Sequence, residues 1–158
     1  MANTQSMCTS FMGELLTATH NFGTAPIRAA TTADTFKGAL YLTSATINAA
    51  TTAYSATGEV SGTNYTAGGV NVTNATPPTA TNSSATAGVA YWTPSASITY
   101  TTVTLSTAFD TVLIYNSTQS NKAVSVHTFG SQTITAGTFT LTMPSNTTST
   151  ALLRLSTT

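Results

Sequence analysis

At 158 residues the chain has room for one domain that buries its apolar surface without disulfides or metal. Hydrophobic residues make up 41% but charged residues only 5%, against about a quarter in an average soluble domain, and four Lys and Arg balance four Asp and Glu. That balance excludes an electrostatic footprint for nucleic acid or anionic lipid, and it removes the repulsion that keeps free monomers apart, so an assembly component is preferred to a neutral, hydroxyl-covered soluble domain.

Residues 4–17 place Met7, Phe11 and Leu15 four apart, with Cys8, Met12 and Leu16 one step round, which predicts a short N-terminal helix capped by Thr4 or Ser6. Two roles suit it: core cover over the end of a sheet, or an arm that docks on a neighbouring subunit. Gly13 weakens such a helix, so it needs packing to persist. Residues 20–33 read as a loop because of Pro26 and a turn-forming Asp34. Phe36–Leu42 then alternates as a strand, with Phe36, Leu40 and Leu42 expected inside and Lys37 and Tyr41 on the opposite face. Thr43 to Gly58 is ambiguous. The Gly-rich run Glu59 to Gly69 is a turn and not a phosphate loop, since it lacks the Lys-Ser/Thr ending.

Val70 and Val72 start another strand that Pro77-Pro78 ends, and residues 79–87 form a polar loop expected to be the most mobile part of the chain. Gly88–Trp92 is a strand with large side chains on both faces, so that Tyr91 and Trp92 join Met7, Phe11 and Leu15 as candidate subunit contacts. Ile98, Tyr100, Val103 and Leu105 change parity near Thr101-Thr102, the mark of a bulge. Thr111 to Gly130 is the clearest hairpin, with turn formers from Asn116 to Asn121 between Val112–Tyr115 and Ala123–Phe129. Its core residues are Val112, Ile114, Val124 and Val126, and Lys122 marks the solvent side. Ala136-Gly137 reads as a turn, Phe139, Leu141 and Met143 as a strand, Pro144 to Ser149 as a turn, and Ala151–Leu155 as the last strand with Arg154 outward. The whole predicts an all-β β-sandwich or barrel-like domain of about seven to eight short antiparallel strands over 21–158, preceded by an N-terminal helix or arm at 1–20.

The candidates for chemistry are sparse. Cys8 is the single cysteine and forms no internal disulfide. His20 and His127 lack Cys, Asp or Glu at metal-ligand spacing, the carboxylates Glu14, Asp34, Glu59 and Asp110 are scattered, and no Gly-x-Ser-x-Gly elbow occurs. The expectation is no metal, no cofactor and no enzyme activity. Tyr54, Tyr65, Tyr91, Tyr100 and Trp92 are candidate sugar-stacking platforms, though core or inter-subunit packing is the commoner use of strand aromatics. Six Asn-x-Ser/Thr sequons, at Asn64, Asn71, Asn74, Asn82, Asn116 and Asn146, follow from so much Ser and Thr and are not read as glycosylation sites. Neither a signal peptide nor a membrane span is expected, so the protein is expected to be made in a cytoplasm.

The opening MANTQSMCTSFMGELLTATHNF, the run DTFKGALYLTSATINAATTAYS, the segments GEVSGTNYTAGG and LIYNSTQSNKAV, and the ending ALLRLS together resemble small virion structural proteins of tailed bacteriophages. The resemblance covers most of the chain in order. Residues 26–32 and the loop at 79–87 depart from it. It implies a capsid decoration or cement protein that binds the major capsid protein across capsomer boundaries, a homo-oligomer for which a trimer is a common arrangement, located in the virion after synthesis in the host cytoplasm. A tail or fibre component that recognises a host glycan is the alternative, with tail proteins as its partners.

Overall fold

The structure is a computed structural model and describes residues 3–16, 19–22, 33–74, 78–81 and 88–156. In chain order its elements are β1 (Ser6–Met7), α1 (Thr9–Leu16), β2 (Phe36–Leu42), β3 (Val70–Val72), β4 (Thr79–Ala80), β5 (Val89–Trp92), β6 (Ile98–Asn116), β7 (Lys122–Leu141) and β8 (Leu153–Ser156). They form two antiparallel sheets, one ordered β1-β7-β6-β2-β3 and one ordered β4-β5-β8, so the domain is an all-β sandwich.

The hairpin β6–β7 is the spine of the larger sheet, and it is longer than the sequence suggested. Its turn, Ser117–Asn121, closes through Asn116, whose Oδ1 accepts hydrogen bonds from the amides of Thr118 and Gln119 at 3.1 and 3.2 Å. Ser120 and Asn121 then take φ of 53° and 58°, the left-handed region that Asn tolerates. Val112, Ile114, Val124 and Val126 are all buried, but so are Leu113, Tyr115 and Ser125, because this part of the hairpin is covered on both faces, and the register sets Val126 opposite Leu113 and not on the face of Val112 and Ile114. The parity change near Thr101-Thr102 is a bulge: the register shifts between Tyr100 and Val103, and Thr102 has φ of 54°. Ala136-Gly137 is a bulge as well, and not the expected turn. β7 continues through it, with Val103 opposite Gly137 and Leu105 opposite Ile134, while Ala136 takes φ of 47°.

Three further expectations are corrected. Ser6 and Met7 fall inside the span assigned to a helix, yet they are extended because they pair with Val126 and Ser125 on the edge of β7. Thr79 and Ala80, placed in a loop, pair with Tyr91 and Ala90 as an edge strand of the smaller sheet. Tyr41 is fully buried and Leu42 half-buried, the reverse of the expected faces. The segment 43–69 folds back over that face, where the Tyr41 hydroxyl donates to the carbonyl of Ser55 at 2.6 Å. Gly69 permits this return: its φ is +73°, and a Cβ there would run into the Gly38 carbonyl. Residues 23–32 of the expected loop, Pro77 and residues 82–87 lie outside the described residues.

Phe36, on the opposite face of β2, packs against Phe22 with ring centroids 4.4 Å apart, and Phe22 in turn meets Trp92 of β5 at 4.7 Å. These rings join the two sheets. Burying each adds roughly 2 to 3 kcal/mol of apolar transfer free energy.

Candidate assembly site

The segment ahead of β2 is held on the sandwich by groups far away in sequence. The Asn3 amide donates to the carbonyl of Leu42 at 3.2 Å and to Asp110 Oδ1 at 2.8 Å, while its own Oδ1 accepts from the Ile47 amide at 2.9 Å. β1 adds to the edge of β7, and the Cys8 amide extends the ladder to the Val124 carbonyl at 3.1 Å. Cys8 and Phe11 are buried, and burial, then the Glu14 carboxylate, pushes the Cys8 thiol up to about 11.

Past α1 the polar groups converge. Glu14 accepts from Lys122 Nζ at 2.6 Å and lies 2.6 Å from His20 Nε2. Asn116 Nδ2 lies 3.0 Å from His20 Nδ1 and 2.7 Å from Asp34 Oδ2. Asp34 also accepts from the Asn21 amide at 2.9 Å and from Gln119 Nε2 at 3.2 Å. One assignment satisfies the set: neutral His20 donates from Nε2 to Glu14 and accepts at Nδ1 from Asn116, whose second N–H goes to Asp34. Burial holds the His20 pKa below its usual value, with Glu14 partly opposing. For Glu14, burial works upward, but the hydrogen bonds from Lys122 and His20 outweigh it and keep its pKa low.

All four carboxylates act as such staples. Glu59 accepts from the hydroxyls of Tyr54 and Tyr65, each at 2.7 Å, and from the Gly68 amide at 2.7 Å. Burial and then this carboxylate raise both tyrosine pKa values. Asp110 binds Thr111 Oγ1 at 2.7 Å in addition to Asn3. Sequence separation hid the long-range contacts, since Glu14 and Lys122 stand 108 residues apart and Asp34 and Asn116 82 apart, whereas the partners of Glu59 lie at most 9 residues away from it. Lys122 is therefore an ion-pair partner at the turn as well as a partly exposed residue. Asn116 is fully buried with its amide committed, so its sequon is not open to modification.

The five candidate contact residues come together. Met7, Phe11, Leu15, Tyr91 and Trp92 line one apolar cleft of about 80 Å³ between α1 and the smaller sheet, closed on its far side by Leu153 and Leu155. Phe11 and Trp92 are buried at its floor, and Met7, Leu15 and Tyr91 stand half-buried at its walls. Leu155, at 43%, is the exposed large hydrophobic residue among those described. Tyr100 is buried too, its hydroxyl donating to the Gly38 carbonyl at 2.8 Å, so neither it nor Trp92 offers a face to a sugar.

Elsewhere, Ser125 Oγ and His127 Nε2 lie 2.9 Å apart along β7. Burial drives the His127 pKa to about 4, and Ser125 is itself buried. A weakly basic imidazole beside a buried hydroxyl makes a poor nucleophilic pair. Among the described residues no group of three or more His, Cys, Asp or Glu could hold a metal ion, and no helix is long and apolar enough to cross a membrane. Comparison with family models, with curated proteins and with solved structures gives no match.

Proposed function

We propose that the chain is a structural component of a bacteriophage virion, a capsid decoration or cement protein that stabilises the head by non-covalent contacts across capsomers. The observation that carries this reading is the open flank of the larger sheet. β1 covers β7 at Ser125 and Val126, the Cys8 amide bonds the Val124 carbonyl and Ala53 bridges Lys122, and beyond Val126 no strand among the described residues pairs with the outer edge of β7 as far as Leu141. That flank has no Lys, Arg, Asp or Glu to block a neighbour, since none occurs between Lys122 and Arg154. An uncharged open edge is the surface on which a capsid protein can add a strand, and each added contact stabilises the assembled state by mass action. In this reading the partner is the major capsid protein, the chain is a homo-oligomer, and its work needs neither catalysis nor a cofactor.

The tail or fibre alternative draws on a different surface, a basin of about 750 Å³ whose lining includes Ser44, Thr46, Asn48, Thr51, Ser55 and Thr57. Its hydroxyls and amides suit a glycan, but it lacks a stacking ring, which leaves the decoration reading ahead. Imaging of the intact particle separates the two. Hundreds of copies on the head, together with loss of heat stability in particles that lack the protein, support decoration. A few copies on the tail, or unchanged head stability, overturn it.

A further inference from the structure

We infer that His20 is a proton-operated latch on the β6–β7 turn: a proton taken up at its Nδ1 turns the Asn116 side-chain amide about and strips two caps from the turn. The latch does not depend on the decoration role, since every group in it belongs to the folded chain.

The turn fixes which way Asn116 faces. Its Oδ1 accepts from the amides of Thr118 and Gln119 at 3.1 and 3.2 Å, so its Nδ2, a donor only, is the atom directed at His20 Nδ1 and Asp34 Oδ2, at 3.0 and 2.7 Å. A donor placed there requires an acceptor at Nδ1. The imidazole must then carry its proton on Nε2, where Glu14 Oε2 receives it at 2.6 Å. Two backbone amides of the turn thus set, through Asn116, the tautomer of a ring 96 residues away from it.

Protonation breaks this chain of bonds at one place. Both nitrogens of an imidazolium donate, so flipping the ring changes nothing, and Nδ1–H is left facing the Asn116 N–H with no acceptor between them. The ring has little room to leave, because it is buried with the Phe11 ring centroid at 4.8 Å and that of Phe36 at 6.4 Å. Turning the Asn116 amide resolves the conflict, since Oδ1 then accepts from Nδ1–H. The turn bears the consequence. Thr118 and Gln119 lose their acceptor, and Asp34 Oδ2 loses the Asn116 donor while keeping the Asn21 amide at 2.9 Å.

The charges around His20 set the latch on the acid side of neutrality. Burial, the largest influence, and Lys122 at the start of β7 oppose the proton, whereas Glu14 from α1 and Asp34 ahead of β2 favour it, and the ring titrates below its usual 6.5. The rings of Phe11, Phe22 and Phe36 that complete its surroundings carry no charge.

Long-range proton–nitrogen NMR of the full chain tests this, with His127→Gln to assign the two histidines. The expected result is an Nε2–H tautomer for His20 above about pH 7. As pH falls, the amide protons of Thr118 and Gln119 should move upfield with the midpoint of the His20 ring. Their temperature coefficients should also grow to those of amides bonded to water, which a nearby charge alone does not produce. The Ser117 amide, held by the Thr35 carbonyl at 2.9 Å and not by Asn116, is the internal control and should keep its coefficient. In His20→Gln, whose amide can donate to Glu14 and accept from Asn116 without titrating, both turn amides should stay unchanged over the same range. An Nδ1–H tautomer at neutral pH, or turn amides that do not follow the His20 midpoint in wild type, overturns the proposal. Turn amides that still titrate in His20→Gln overturn it as well. Should that variant fail to fold, the wild-type comparison with Ser117 decides alone.

Discussion

Glu14 and Lys122 meet at 2.6 Å although 108 residues separate them, and their contact fastens the N-terminal segment to the turn of the longest hairpin. Lys122 remains 38% exposed, so solvent screens the pair. Glu14→Gln is expected to cost about 1 kcal/mol, with most of the effect local. Hydrogen exchange should speed up at the amides of residues 4–11 well before the amides of β6 respond. Equal acceleration in both would contradict the fastening.

Acid should loosen the fold in two stages. His20 and His127 both hold their protons less tightly when folded than the unfolded value of 6.5, His127 at about 4, and Glu14 is likewise depressed from 4.5. As pH falls, the unfolded state therefore takes up protons first. Stability is full above pH 6.5, falls between 6.5 and 4 through His127, with His20 adding to the loss below 6.5, and falls further below 4.5 through Glu14. The His127 shift alone is worth up to about 3 kcal/mol. Denaturant midpoints measured from about pH 7.5 down to about 4 should decline, and His127→Gln should flatten part of that decline. A midpoint independent of pH over this range refutes the assignment.

Asn116 joins the turn, His20 and Asp34, and it is wholly buried. Asn116→Ala should cost roughly 2 to 4 kcal/mol, because it strands several buried polar groups at once. Asn116→Asp should be worse, since it sets a second carboxylate against Asp34. Thermal melts of the two variants check the order, and an Asp variant more stable than the Ala variant would reverse it.

Val124 is fully buried in the hydrophobic core. Val124→Asp should abolish the cooperative unfolding transition, a loss of at least about 4 kcal/mol. A variant that keeps a wild-type melt would be incompatible with this sandwich.

The fold class was legible in the sequence because period-two alternation and turn chemistry are local signals. Phe36–Leu42, Val112–Tyr115 and the Asn116–Asn121 turn all carry them within a few residues. What stayed hidden depends on distance. Nothing near Ala136-Gly137 distinguishes a turn from a bulge, since both want a left-handed residue, and only the partner strand decides. Tyr41 looked exposed because the segment that covers it has no periodicity of its own. The apolar residues of the cleft were visible one by one, from Met7 to Trp92, while the convergence of Glu14, His20, Asp34 and Asn116 was not. Asp34 and Asn116 meet across 82 residues and leave no spacing to read, and the 6 residues from Glu14 to His20 match no helical or metal-ligand spacing.

The buried thiol of Cys8 sits where the N-terminal segment joins β7, its amide bonded to the Val124 carbonyl. A thiol shielded there and raised to about 11 reacts with an alkylating reagent only during the moments when the segment lifts away. Its labelling rate is thus a stopwatch for undocking that needs no engineered probe. The chain carries its own timer, and because no second cysteine exists, every count it gives comes from that one seam.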